Sequence, residues 1–269
     1  MLRQPEVIGI ASGKGGVGKT SLSVNIAREM AQRGKKVFLF DGDMGLANAQ
    51  IALGIKAENN ISHVISGEKN INDIVVEISP GFSLIPGASG VDQMAALSEI
   101  ETAGIVNVFS DLRSELDFLI IDLAAGISPS VLTLFEACHR RLVVVVDEPS
   151  SIADAYGLIK VSYQRSSRED IFLLQNRFVA EDGERLQDSL FNLLNQVCVK
   201  FLSKSLRNLG NISEDEFFRL AMRERKALMD YAPSSLAVKD IKVVVEKILS
   251  ENVVHDTDGG LEFFVDRKS

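Results

Sequence analysis

The chain has 269 residues, 46% of them hydrophobic, which is enough for one large α/β core. Its 29 basic and 37 acidic side chains give a formal net charge of −8, which argues against broad nonspecific attraction to nucleic acid, and direct DNA binding is not expected. Two cysteines outside any C-x-x-C pair, no basic leader before an apolar segment and no long apolar run exclude a disulfide framework, a signal peptide and a membrane span, so a cytoplasmic protein is expected, any membrane contact being peripheral at the inner face.

Residues 7–11, VIGIA, read as a buried strand, and a glycine-rich turn follows. Gly13, Gly18, Lys19 and Thr20 satisfy G-x-x-x-x-G-K-[ST], a phosphate loop in which backbone N–H groups surround the phosphates. In it Lys19 reaches the β/γ oxygens and the Thr20 hydroxyl faces Mg2+. Gly15 and Gly16 let the chain approach a ligand closely, and Val17 and Ser21 complete the stretch expected to line the phosphates. Residues 19–33 carry Leu22, Ile26 and Met30 at helical spacing and close on Gly34, so a helix N-terminus points at the phosphate site.

The next strand, 36–41, delivers Asp41 to its tip, with Asp43 just beyond. A carboxylate near Mg2+ and another that orients water are what phosphoanhydride hydrolysis needs; the alternative is that both cap the following turn. Strands are further expected at 82–87 and 118–123, the latter ending in Asp122 in a Walker B arrangement, with helices at 101–114 and 128–137. A strand at 142–148, a helix at 150–163 and a strand at 170–176 follow. Asn176 and Arg177 at that last tip have the groups to meet an adenine edge and face, or are an ordinary polar strand end. A long amphipathic helix at 181–207, a short strand at 209–212 and helices at 214–229 and 236–249, parted by YAPSS, complete the pattern.

The strands are continuous apolar runs, as in parallel strands covered on both faces, so the expected fold is a mostly parallel open sheet flanked by helices. The candidate site residues all follow strand ends, where such sheets bind ligands. Residues 1–250 are read as one P-loop ATPase domain and 251–269 as a loosely ordered or peripheral tail. Cys138 and Cys198 are read as buried small hydrophobes within helices, and His63, His139 and His255 lack the spacing of a metal site.

The run Lys14-Gly15-Gly16-Val17-Gly18-Lys19-Thr20 resembles the deviant Walker A signature of the MinD/ParA group of P-loop ATPases. The resemblance implies an ATP-dependent homodimer with ATP and Mg2+ as ligands. In it Lys14 reaches the phosphates held by the partner subunit, Asp43 is the hydrolytic aspartate, Asp41 its switch partner, Asp122 the Walker B residue, and Asn176 with Arg177 the adenine-side pair. Within the group, DLAAGIS (122–128), DEPSSIADAYGLIK (147–160) and the basic stretch 218–241 resemble the flagellar number regulators of the FlhG, FleN and YlxH kind. That branch implies as partners an FlhF-like GTPase, flagellar switch proteins or a flagellar transcriptional activator. MinD-type division-site and ParA-type partition ATPases share the nucleotide chemistry and stay as alternatives, the latter through a stripe of Arg219, Arg223 and Lys226. Three departures stand out. Ser213 occupies a position where the group usually has proline. The first strand begins too early to leave room for an N-terminal D-Q-A-x-x-L-R segment, and DQMAALSE (92–99) is read as an ordinary helix. In LEFFVDRKS, Glu262 and Asp266 interrupt the apolar cluster where a membrane-targeting helix is usual.

Overall fold

The computed structural model describes residues 4–43, 48–88, 98–166, 168, 170–180, 189–251 and 261–264. Eight strands form one sheet in the order β3-β4-β2-β5-β1-β6-β7-β8. They are β1 (Glu6–Ser12), β2 (Val37–Gly42), β3 (Val76–Ser79), β4 (Phe82–Ile85), β5 (Phe118–Ala125), β6 (Arg140–Val145), β7 (Ile171–Phe178) and β8 (Arg207–Ser213). All neighbours pair in parallel except β3 and β4. The inner strands are buried along nearly their whole length, which explains their uninterrupted apolar sequences.

One face is covered by α1 (Lys19–Gln32), together with four shorter or later helices. These are α2 (Ala49–Ala52), α8 (Phe217–Arg223), α9 (Leu228–Tyr231) and α10 (Leu236–Ser250). Leu22, Ile26 and Met30 of α1 and Ile241, Val244 and Ile248 of α10 belong to the one apolar core of this layer. The other face carries α3 (Ile61–Ile65), α4 (Glu99–Val108), α5 (Pro129–Ala137), α6 (Pro149–Arg165) and α7 (Ser189–Leu202). Strand order turns at β1, whose neighbours are β5 and β6, so the loop after β1 opens into the crevice where the two halves of the sheet diverge.

Four local differences from the sequence expectations have physical causes. The antiparallel β3 is a short, half-buried edge strand that offers no apolar run. The helix expected at 181–207 is described as Ser189–Leu202, residues 181–188 lying outside the described set. It stops because Ser203 turns left-handed at φ 56°, and Arg207 already belongs to β8. The helix expected at 214–229 divides into α8 and α9 at Arg225, which sits at φ 55°. Cys138 lies one residue past α5, as its C-cap, while Cys198 lies within α7; both are buried and reduced. Of DQMAALSE only Ser98 and Glu99 are described, and there Ser98 caps α4 in a reciprocal pair with Glu101.

Within the segment read as a tail, Phe263 and Phe264 are buried. Phe263 packs edge-on against Phe109 at 5.5 Å, and Phe109 lies 5.1 Å from Phe40 of β2. At the lower edge of the sheet Arg140 is fully buried, bonding Glu6 at 2.8 Å and the Glu251 carbonyl at 2.9 Å, which ties the end of α10 to β1.

Candidate nucleotide site

The loop between β1 and α1 is shaped by close packing. A Cβ on Gly13 would stand 2.2 Å from the Asp154 backbone, so only glycine allows the loop to lie against α6. Gly18, at φ 92°, is the N-cap of α1; a Cβ there would meet Asn176 Nδ2 at 2.4 Å. No side chain caps α1 and no acidic residue occupies its first turn, which leaves its terminal N–H groups for an anion.

Beneath the loop, Asp41 of β2 and Asp122 of β5 are register partners on adjacent strands. Both are buried, and burial raises both pKa values; Asp41 is raised to about 8, Asp122 adding to the effect by its charge. Lys19 Nζ lies 3.4 Å from Asp122 Oδ1, and Ser23 Oγ donates to the same oxygen at 3.2 Å. The Thr20 hydroxyl also favours the ionised Asp122. Asp122 Oδ2 has no hydrogen-bond partner among the described residues. Two adjacent buried carboxylates, one of them paired with Lys19 and left with one oxygen unsatisfied, match the donor set of a hard divalent cation such as Mg2+.

Asp41 also organises the segment beyond it. Its Oδ1 accepts from the Asp43 N–H at 3.4 Å and its Oδ2 from the Ala49 N–H at 2.7 Å, so one carboxylate spans the stretch that carries Asp43 and starts α2. Residues 44–47 lie outside the described set.

On the other side of the loop, Asn176 Nδ2 donates to the Val17 carbonyl at 2.7 Å and Arg177 Nη2 to the Gly16 carbonyl at 2.7 Å. Asn176 is buried and its Oδ1 is unpartnered among the described residues, an acceptor available to an exocyclic amine. Beside it a cavity of about 420 Å3 opens at the tips of β6, β7 and β8, lined among others by Asp147, Gln175, Arg177, Phe178 and Glu214. Ser213, in β8, is held by its N–H on Asp240 Oδ2 at 2.8 Å and precedes Glu214 of that lining.

Lys14 points to α6. Its Nζ donates to Glu148 Oε2 at 2.8 Å and to Ser150 Oγ at 2.9 Å, and this partner holds the Glu148 carboxyl below its ordinary pKa. The structure thus gathers Gly13, Gly15, Gly16, Val17, Gly18, Lys19, Thr20 and Ser21 around one loop, with Asp41, Asp43 and Asp122 on its one flank and Asn176 and Arg177 on the other. Sequence reasoning missed Ser23, Glu148 and Ser150. Ser23 lies one helical turn from Lys19, a spacing that marks it; Glu148 lies at the end of a predicted strand, the same signal that marked the aspartates.

Among known proteins, a profile described as an AAA domain matches residues 5–161. The antiactivator FleN of Pseudomonas aeruginosa is 38% identical over 97% of this chain and 92% of its own. The flagellum site-determining protein YlxH of Helicobacter pylori is 33% identical over 91% of this chain and 82% of its own. The structure of the septum site-determining protein MinD of Pyrococcus horikoshii, complexed with Mg-ADP, superposes with a TM-score of 0.76 over 91% of this chain and 96% of that one, at 21% identity, a likeness of fold. With a phosphate loop bearing the early Lys14, a mostly parallel sheet and relatives that span nearly its whole length, the chain belongs to the MinD/ParA family of P-loop ATPases, in the branch of FleN and YlxH.

Proposed function

We propose that this protein is an Mg-ATP-dependent ATPase that dimerises on ATP and regulates flagellar number or placement through nucleotide-switched partners. The observation that carries the chemistry is Asp122, buried in the C-terminal half of β5 with Lys19 and Ser23 on one oxygen and no hydrogen-bond partner on the other among the described residues. The unpartnered oxygen is open to a cation beside the one Lys19 supplies, and the loop above it has N–H groups for phosphates.

In this reading Lys19 and the loop N–H groups hold the β/γ phosphates. Thr20, Asp41 and Asp122 hold Mg2+, which when bound supplies positive charge to offset that of the transferring phosphoryl group. Asp43 orients the attacking water. Asn176 Oδ1 accepts from the adenine amine while Arg177 lines the base cavity, and Lys14 meets the phosphates of a second subunit. The bonds of Asp41 to the Asp43 and Ala49 N–H groups link nucleotide state to the start of α2.

FleN is named an antiactivator and YlxH a flagellum site-determining protein, and their likeness to this chain supports the flagellar role over division or partition. The partners in this reading are an FlhF-like GTPase, flagellar switch proteins or a flagellar transcriptional activator, with weak membrane contact at the inner face. Among the described residues no helix is long and apolar enough to cross a membrane. The test pairs two measurements: Mg2+-dependent phosphate release from ATP, and capture from native cells on the Asp43→Ala variant. Phosphate release with recovery of flagellar proteins supports the reading; recovery of division proteins in their place overturns the flagellar part.

A further inference from the structure

The segment from α8 to α9 gathers charge that the rest of the molecule leaves unused. Arg219, Arg223, Arg225 and Lys226 are all exposed, and none makes a side-chain hydrogen bond or ion pair among the described residues, whereas Arg28 nearby is paired with Asp230 at 2.9 Å. Exposed apolar side chains are interleaved with them: Met222 is 48% exposed and Phe217 39%. The backbone between the two helices is fixed. The Arg225 N–H bonds the Met222 carbonyl at 3.1 Å and the Lys226 N–H bonds the Ala221 carbonyl at 3.0 Å, the paired bonds of a Schellman helix ending. The left-handed position of that motif ordinarily takes glycine, yet here it is arginine at φ 55°, a backbone cost accepted to put a cation at the corner.

This corner touches the switch segment. Gly54, two residues past α2 and itself at φ 67°, lies against Arg225; a Cβ there would stand 3.0 Å from Arg225 Cβ and 3.3 Å from its Cδ. Ala52 at the end of α2 and Met222 and Lys226 of the basic corner line one small cleft. The start of α2 hangs on Asp41 through the Ala49 N–H. A four-residue helix therefore separates the carboxylate of the nucleotide site from the basic corner.

From this we propose that the α8–α9 corner is a docking surface for an acidic, apolar segment of a partner protein, and that nucleotide bound beside Asp41 sets its affinity through α2. The proposal rests on the nucleotide-switch reading above. Charge complementarity selects the occupant: in a chain of net charge −8, unpaired cations interleaved with exposed Met222 and Phe217 fit alternating carboxylates and aliphatic side chains. The exposed Glu216 and Glu224 on the same segment oppose a continuous phosphate backbone, which favours a peptide over DNA.

The test uses the full chain and a dye-labelled synthetic peptide rich in Glu and Leu, followed by fluorescence anisotropy without nucleotide, with Mg-ADP and with Mg-ATP on the Asp43→Ala background. A Lys and Leu peptide and a DNA duplex are the comparison probes. The expected result is binding of the Glu and Leu peptide that differs between Mg-ATP and Mg-ADP and falls about tenfold or more in Arg223→Glu/Lys226→Glu. Arg223→Lys should retain it. Nucleotide binding of each variant is measured in parallel by calorimetry, so that failure of the unmodified chain to bind the peptide while it binds ATP overturns the docking surface alone, whereas absence of ATP binding in the unmodified chain overturns the nucleotide reading. Preference for the DNA duplex, equal binding by the charge-reversed variant, or binding indifferent to nucleotide would each overturn the proposal.

Discussion

Lys14 and Glu148 are 134 residues apart in sequence and joined at 2.8 Å across the mouth of the nucleotide site. Both side chains are substantially solvent-accessible, 38% and 48% exposed, so the pair is a weak tether that a stronger anion displaces. A triphosphate presented by a second subunit is such an anion. Glu148→Gln should therefore release Lys14 and let ATP-driven dimers form at about two- to threefold lower protein concentration, read by light scattering across a dilution series. In a Lys14→Ala background the same substitution should change nothing; a shift there would show that Glu148 acts by another route.

Lys19 is buried beside Asp122 and belongs to the loop itself. Lys19→Ala removes the cation proposed to meet the β/γ phosphates and leaves Asp122 without its ion-pair partner. Calorimetry should show ATP affinity down by about a hundredfold or more, in line with the loss of a charged hydrogen bond at a buried site. Affinity within a factor of two of the unmodified chain would contradict the phosphate-loop assignment.

The Asp43 N–H donates to Asp41 Oδ1 at 3.4 Å, a backbone bond that does not depend on the Asp43 side chain. Asp43→Ala should bind ATP at near-unchanged affinity and release phosphate at least about a hundredfold more slowly, with the dimer persisting. Unchanged turnover would remove Asp43 from the mechanism.

The pKa of Asp41 gives a stability prediction. Its value rises from 3.8 to about 8 on folding, because burial and the neighbouring Asp122 disfavour its ionised form. A group whose folded pKa is raised binds its proton more tightly in the folded state, so its contribution is fully present below the unfolded value and lost as pH climbs through the folded one. Without nucleotide or metal, stability in urea should fall between about pH 4 and about pH 8, with Asp122 acting in the same direction. Asp41→Asn, which mimics the protonated side chain and keeps an acceptor for the Ala49 N–H, should flatten much of that slope. An unaltered slope would mean that Asp41 is already ionised in the folded protein.

Much of the nucleotide site is legible in the sequence because its residues lie in the C-terminal halves of strands whose apolar runs are hard to mistake. Asp41 and Asp122 each interrupt such a run, Asn176 follows one after Gln175, and the glycines between β1 and α1 carry their own spacing. Features set by left-handed corners on ordinary residues are not legible. Ser203 ends α7 and Arg225 divides α8 from α9 without glycine or proline to announce either, while the apolar periodicity runs on past them. β3 escapes because an edge strand of four residues need not be apolar. The ion pair of Lys14 with Glu148 escapes for a different reason: two chain-distant groups meet only once the parallel order of β1 and β6 is known.

A mixed dimer decides whether Lys14 completes the active site of the opposite subunit. One subunit carries Lys14→Ala and keeps Asp43; the other carries Asp43→Ala and keeps Lys14. If the lysine acts across the two-fold interface, the site with intact Asp43 receives its partner's lysine, and phosphate release from the purified heterodimer should run at about half the rate of the unmodified dimer, one site of two being complete. If Lys14 serves only its own subunit, each site lacks one essential group, and a heterodimer that forms with ATP yet releases no phosphate would contradict the account.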